Sequence, residues 1–93
     1  MLIRTDGARL RAFLENCADA EALGGGEYTV DLYDVSAPVS MDILIDKKGV
    51  NVLAALELIY DEEQDGWYLG EKIKDADRLA ALLDEALGQQ PQA

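Results

Sequence analysis

The stretch from Gly49 to Gly70, GVNVLAALELIYDEEQDGWYLG, constrains the fold more than any other part of the chain. From Val50 to Tyr60 every second residue is apolar, which is the period of a strand with one buried face. The dipeptide Asp65-Gly66 tolerates the positive φ of a tight reversal, and the apolar residues 67–69 suit a returning strand. The stretch therefore predicts a β-hairpin at the centre of the fold.

A helix is the competing interpretation of residues 50–60. Val52, Leu56 and Ile59 fall on one helical face, and Asn51 could cap that helix. The run Ala54–Glu57 also consists of good helix formers. The unbroken alternation and the Asp-Gly turn nevertheless favour the strand.

Two other segments have helical periodicity. Between Ala8 and about Leu23, apolar residues recur at spacings of three and four, and the glycines 24–26 are expected to end this helix. Cys17 lies on the apolar stripe, where we expect a small core side chain and not a reactive thiol. A second helix is predicted from Ala76 to about Leu87, with Asp75 as its N-cap.

Two further strands, 28–34 and 39–46, are predicted from their alternation. Short connections favour antiparallel neighbours, so the expected fold class is α+β. It comprises a four-stranded antiparallel sheet with one N-terminal and one C-terminal helix packed on the same face. Residues 1–88 are expected to form a single domain, and residues 89–93 a frayed tail.

The chain is strongly acidic. Its 93 residues hold 19 acids against 8 bases and no histidine, for a formal charge of -11. Nucleic acid and anionic membranes would repel such a chain, whereas a basic protein surface would attract it. The sequence contains no apolar run long enough for a membrane span and no signal-peptide pattern, so a cytoplasmic protein is expected.

The residue inventory argues against catalysis and against a cofactor. Without histidine, and with only Ser36 and Ser40 as serines, no histidine-assisted nucleophile can be assembled. Residues 61–66 resemble the opening of an EF-hand loop, but the twelfth position is Lys72 and the flanks are predicted strands. An acidic hairpin tip is the better interpretation, with weak calcium binding as a minor hypothesis, and no metal site is expected.

The sheet face not covered by helices is the predicted partner-binding surface. Acidic, tyrosyl and aliphatic side chains would alternate there, and an aromatic residue of the returning strand would add an anchor. The residues expected to contact a partner are Asp31, Tyr33, Asp42, Leu44, Asp46, Glu57, Ile59, Asp61 and Trp67. An ordinary solvated sheet face is the alternative interpretation.

The linear distribution of charge favours a partner-binding surface. From Ala12 through Asp46 there are eight acids and no base, and from Leu53 through Glu71 six acids and no base. The leading functional hypothesis is an acidic inhibitor that occupies a basic protein surface, such as one that holds nucleic acid. Anti-CRISPR and immunity proteins are comparable in size and charge alone. The alternative is an adaptor that forms a homodimer through the open face.

Overall fold

The computed structural model describes residues 1–88 and shows a mixed α+β fold. The elements are β1 (Leu2–Ile3), α1 (Gly7–Glu15), β2 (Ala20–Gly24), β3 (Glu27–Leu32), β4 (Val39–Asp46), β5 (Gly49–Asp61), β6 (Gly66–Lys72) and α2 (Ala76–Gly88). The tail predicted at 89–93 lies outside the described residues. Neither of these two helices has the length and apolar character needed to cross a bilayer.

The strands form one antiparallel sheet in the order β1-β5-β4-β3-β2. The thirteen-residue β5 is the longest strand. One of its edges pairs with β4, and the other edge pairs with both β1 and β6. β1 pairs with the beginning of β5 and β6 with its end, through Leu2 opposite Asn51 and Gly66 opposite Asp61. β5 therefore joins β1 and β6 to the body of the sheet.

Both helices pack on one face of the sheet and form a single apolar core with it. Asp6 caps α1 by accepting from the Arg9 amide at 3.1 Å, and Asp75 caps α2 by accepting from the Asp77 amide at 3.0 Å. The Arg9 guanidinium donates to the Leu87 carbonyl at 3.1 Å, which joins the helices. The core side chains with no more than 2 % exposure include Leu10, Val30, Val39, Met41, Ile43, Val50, Leu79, Leu82, Leu83 and Leu87.

The prediction of four strands was wrong, since the sheet described within residues 1–88 has six and β1 precedes the first helix. The first helix ends at Glu15 instead of near Leu23, and Ala20–Gly24 forms β2. Its alanines are good helix formers, but pairing with β3 supplies the backbone hydrogen bonds that decide the conformation. The glycines 24–26 all have positive φ; Gly24 ends β2, and Gly25 and Gly26 form the turn to β3. Cys17 consequently lies after the helix, half-buried against the core.

The strand interpretation of residues 50–60 is confirmed, but a β-bulge changes its faces. Asp42 pairs with Ala54 and Ile43 with Val52, so Leu53 is an extra residue in β5. Beyond Leu53 the phase of the alternation reverses. Even-numbered residues from Ala54 to Tyr60 therefore lie on the open face of the sheet, the face that neither α1 nor α2 covers.

The predicted face of three site residues was consequently wrong. Glu57 lies opposite Val39, a core residue of β4, and so points to the helix side of the sheet, together with Ile59 and Asp61. An unbroken strand would have placed all three on the open face. One inserted residue is enough to exchange the two rows of side chains.

Candidate partner-binding surface

The distal half of the β5–β6 hairpin concentrates exposed apolar surface. The core cluster includes β5 only as far as Ala55. Beyond it, Tyr60, Trp67, Tyr68 and Leu69 are 44 %, 45 %, 52 % and 55 % exposed. Large side chains clustered in this way on a small protein are typical of an interaction surface.

Three aromatic rings on the open face form what we call the aromatic cluster, Tyr33, Tyr60 and Trp67. The ring centroid of Trp67 lies 5.1 Å from that of Tyr33 and 5.3 Å from that of Tyr60, with angles of 59° and 58° between the ring planes. Tyr60 and Trp67 are cross-strand partners, while Tyr33 follows the end of β3. Tilted rings at this separation attract one another, so the cluster is a preorganised apolar platform.

Carboxylates accept hydrogen bonds from both tyrosine hydroxyls of the aromatic cluster. Tyr60 donates to Asp65 at the hairpin turn, and Tyr33 donates to Asp31 at 3.4 Å. The hydrogen bond to Asp65, followed by burial, raises the pKa of Tyr60. Burial, then the charges of Asp31 and Asp19, raise the pKa of Tyr33. Both hydroxyls therefore stay neutral at pH 7.

A cavity of about 570 Å³ adjoins Tyr33, and we call it the acidic pocket. It lies between the C-terminal part of α1, the end of β3 and one residue of α2. Its described lining consists of Ala12, Phe13, Asn16, Cys17, Asp19, Asp31, Leu32, Tyr33, Asp34, Val35 and Ala86. Three of these residues are acids, none is a lysine or arginine, and Phe13, Leu32 and Val35 contribute large apolar side chains.

Ser36, which follows the pocket residue Val35 in the chain, is hydrogen-bonded to α2. Glu85 accepts from the Ser36 amide at 2.9 Å and from the Ser36 hydroxyl at 2.6 Å. These two hydrogen bonds lower the pKa of Glu85. The backbone next to the pocket wall is thereby tied to the helix layer, which favours a preformed cavity.

Two carboxylates crowd one another further along the open face. The pKa of Glu27 is raised, first by hydrogen bonding with Asp42, then by burial and by the charge of Asp42. The Oδ1 atom of Asp42 is buried, and no donor within residues 1–88 reaches it. When Glu27 is ionised, the pair therefore repels, and when it is protonated it can donate to Asp42.

We expect Asp42→Asn to raise the thermal unfolding midpoint by a few degrees at pH 7. The amide removes the repulsion and can donate to Glu27. Because the folded-state pKa of Glu27 is raised, its ionisation costs stability, and the wild type recovers that stability as the pH falls through this pKa. The advantage of the variant should therefore shrink towards the ordinary value of 4.5. Calorimetry from pH 7 to pH 4 measures both effects.

Glu62→Gln is the matched control for Asp42→Asn. It removes the same unit of charge at the exposed hairpin turn. If it stabilised the protein as much as Asp42→Asn does, the gain would come from net charge, and local repulsion between Glu27 and Asp42 would be the wrong explanation.

The structure separates the predicted site residues into three groups. Asp31, Tyr33 and Trp67 lie together at the acidic pocket and the aromatic cluster. Asp42, Leu44 and Asp46 lie within β4 on the open face, away from that cluster. Glu57, Ile59 and Asp61 lie on the helix side, where Asp61 accepts from the Glu63 amide at 3.0 Å.

Three residues at the site, Tyr60, Asp19 and Phe13, are not among those predicted from the sequence. Tyr60 belongs to the apolar row of β5, which alternation alone places on the buried face, and the bulge reverses that face. Asp19 and Phe13 reach the pocket because α1 ends early and the chain turns into β2. No local pattern at these two positions indicated a site.

Within residues 1–88, no three acidic, cysteine or histidine side chains are placed to hold a metal ion. The carboxylates of Asp61 and Asp65 instead accept hydrogen bonds within the hairpin turn. No known family model matches this chain, and comparisons with curated proteins and with solved structures find no significant match.

Proposed function

We propose that this protein is a non-enzymatic acidic inhibitor that occupies a basic surface of another protein, such as a surface that holds nucleic acid. The observation that supports it best is the adjacency of the aromatic cluster and the acidic pocket, which share Tyr33. Exposed aromatic anchors and acidic side chains thus meet on one continuous surface.

The two parts of this surface contribute differently to binding. Aromatic side chains such as Trp67 bury much apolar area at small entropic cost and are typical hot spots. Carboxylates steer a basic partner and suppress acidic ones, with more effect on association rate than on affinity. The combination fits a partner with a cationic surface and an apolar depression.

The separation of acidic from basic residues along the chain supports competition with nucleic acid as the mode of inhibition. The hairpin segment from Leu53 through Glu71 holds six acids and no base. Carboxylates on a rigid sheet can accept charge-assisted hydrogen bonds from lysine and arginine as phosphates do. An inhibitor of this kind blocks its target by occupancy and requires no chemistry of its own.

Affinity capture from host lysate at two salt concentrations tests the proposal. We expect a basic protein to be retained at about 50 mM NaCl and largely released by roughly 500 mM NaCl, because salt screens the attraction. The purified partner should then lose bound nucleic acid when this protein is added. A captured partner that is neutral, or whose retention ignores salt, would contradict electrostatic docking.

The contribution of the anchor is tested with Trp67→Ala. We expect dissociation from the captured partner to become at least roughly tenfold faster, as for a central aromatic hot spot. Leu23→Ala is the control, since Leu23 is 50 % exposed but lies on β2 at the opposite edge of the sheet. Equal effects of both variants would place the interface somewhere other than the hairpin.

A homodimer is the second candidate, favoured by one feature of β6. Within residues 1–88 the outer edge of β6 pairs with no strand, and Trp67, Tyr68 and Leu69 are exposed beside it. Such an edge can pair with a second copy. Salt separates the candidates, because a dimer of two chains with charge -11 should strengthen as salt rises. Light scattering at both salt concentrations measures this.

A further inference from the structure

We propose that the acidic pocket is the receptor for one arginine side chain of the basic partner. This inference rests on the proposed function and specifies which part of the surface recognises which chemical group. The cavity, about 570 Å³, has room for a guanidinium and its aliphatic stem. Its occupant has to be both cationic and partly apolar, because the described lining is both acidic and apolar.

The apolar part of the lining fits the stem of a long basic side chain. Phe13, Leu32 and Val35 contribute it, and Phe13 and Val35 are themselves packed against the core. Lysine and arginine bury their methylene groups along such surfaces while the charged head stays near polar groups. A simple metal ion would gain nothing from these walls.

The polar part of the lining favours arginine over lysine. Asp31 and Asp34 contribute carboxylates near the end of β3, Asp19 contributes one just before β2, and Tyr33 adds an aromatic ring and a hydroxyl. A planar guanidinium can form paired hydrogen bonds with a carboxylate and stack on an aromatic face at the same time. Asp31 is well placed for both interactions, because its Oδ2 atom accepts a hydrogen bond from the Tyr33 hydroxyl at 3.4 Å and its carboxylate therefore lies beside Tyr33.

Tyr33 explains how the pocket and the aromatic cluster act as one surface. Its side chain lines the pocket, and its ring contacts Trp67 with centroids 5.1 Å apart. An arginine seated beside Tyr33 therefore brings the adjoining surface of the partner over Trp67. The two features together orient the partner as well as attract it.

The test uses N-acetyl-arginine-N-methylamide as the probe and NMR chemical shifts of the intact protein as the readout. We expect saturable shifts concentrated at Phe13, Cys17, Asp31 and Tyr33. The control ligand is the citrulline analogue, which has nearly the same shape without the charge, and it should bind at least roughly tenfold more weakly. Shifts spread over the acidic surface, or equal binding of both ligands, would overturn the inference.

Asp31→Asn should weaken the arginine probe roughly fivefold to tenfold while preserving the acceptor for Tyr33. Glu62→Gln, with the same change in net charge, should leave probe binding unchanged. If the two variants weakened it equally, net charge alone would explain the binding and the pocket would be excluded as the receptor.

The outcome is separable from that of the proposed function. A salt-sensitive basic partner that binds wild type and Asp31→Asn equally would refute the arginine receptor and leave the inhibitor proposal standing. Specific arginine binding in the pocket, with no basic partner captured at any salt concentration, would refute the inhibitor proposal instead.

Discussion

Replacing Gly26 with alanine is expected to destabilise the protein by roughly 2–4 kcal/mol. Gly26 has a φ of +87°, and a Cβ atom there would lie 2.5 Å from the Ile45 carbonyl oxygen. That oxygen belongs to the backbone of β4 and cannot rotate away. The Gly26 carbonyl also accepts from the Ile45 amide at 2.9 Å, so any shift would weaken the contact between this turn and β4.

Gly25→Ala is the matched control for Gly26→Ala. Gly25 has a φ of +64°, but the position of its Cβ is open, with no atom within 4 Å. Only the left-handed backbone then costs free energy, about 1 kcal/mol. Urea denaturation measures both variants. Equal losses of unfolding free energy would show that the backbone conformation alone requires glycine at position 26, and that the close approach of β4 does not matter.

Ile43→Ala is expected to cost roughly 3–4 kcal/mol of unfolding free energy. Ile43 is completely buried in β4, opposite Val52, at the centre of the layer between sheet and helices. Truncation removes its transfer free energy and leaves a cavity that the paired strands on both sides prevent from collapsing. Chemical denaturation of the purified variant measures the loss.

Ile59→Ala should cost clearly less than Ile43→Ala, about 1 kcal/mol. Ile59 is half-buried and lies outside the core cluster, on the part of β5 that extends beyond the helices. The sequence pattern places both isoleucines within equally regular strands, so this contrast tests the tertiary arrangement. A loss at Ile59 as large as that at Ile43 would show that the hairpin packs more tightly than its exposure indicates.

The elements that sequence predicted well are those whose own residues carry the signal. β4 was bounded correctly, since Val39 to Asp46 alternates without interruption and ends at a turn. The second helix was bounded nearly as well, because Asp75 offers a cap to an apolar stripe of period 3.6. The Asp65-Gly66 turn also formed, with Asp65 at a φ of 50°.

The first helix shows where the local signal fails. Cys17 and Ala20 continue the helical spacing of Leu10 and Leu14, yet the helix ends at Glu15. Antiparallel pairing brings Ala20 opposite Val30, and this long-range contact overrides the local helix propensity. The acidic pocket depends on that override, since a longer helix would move Cys17 and Asp19 away from β3.

The amino-acid sequence by itself determined the fold class, the identity of most core side chains and the excess of acidic charge. Periodicity, caps and turn residues act within a few positions of the chain, so they can be interpreted without a partner strand. Only the tertiary structure decided which faces those residues occupy beyond Leu53 and which distant groups meet at Tyr33. A bulge and a strand pairing arise between segments far apart in the chain, and one extra residue in β5 reverses a whole row of side chains.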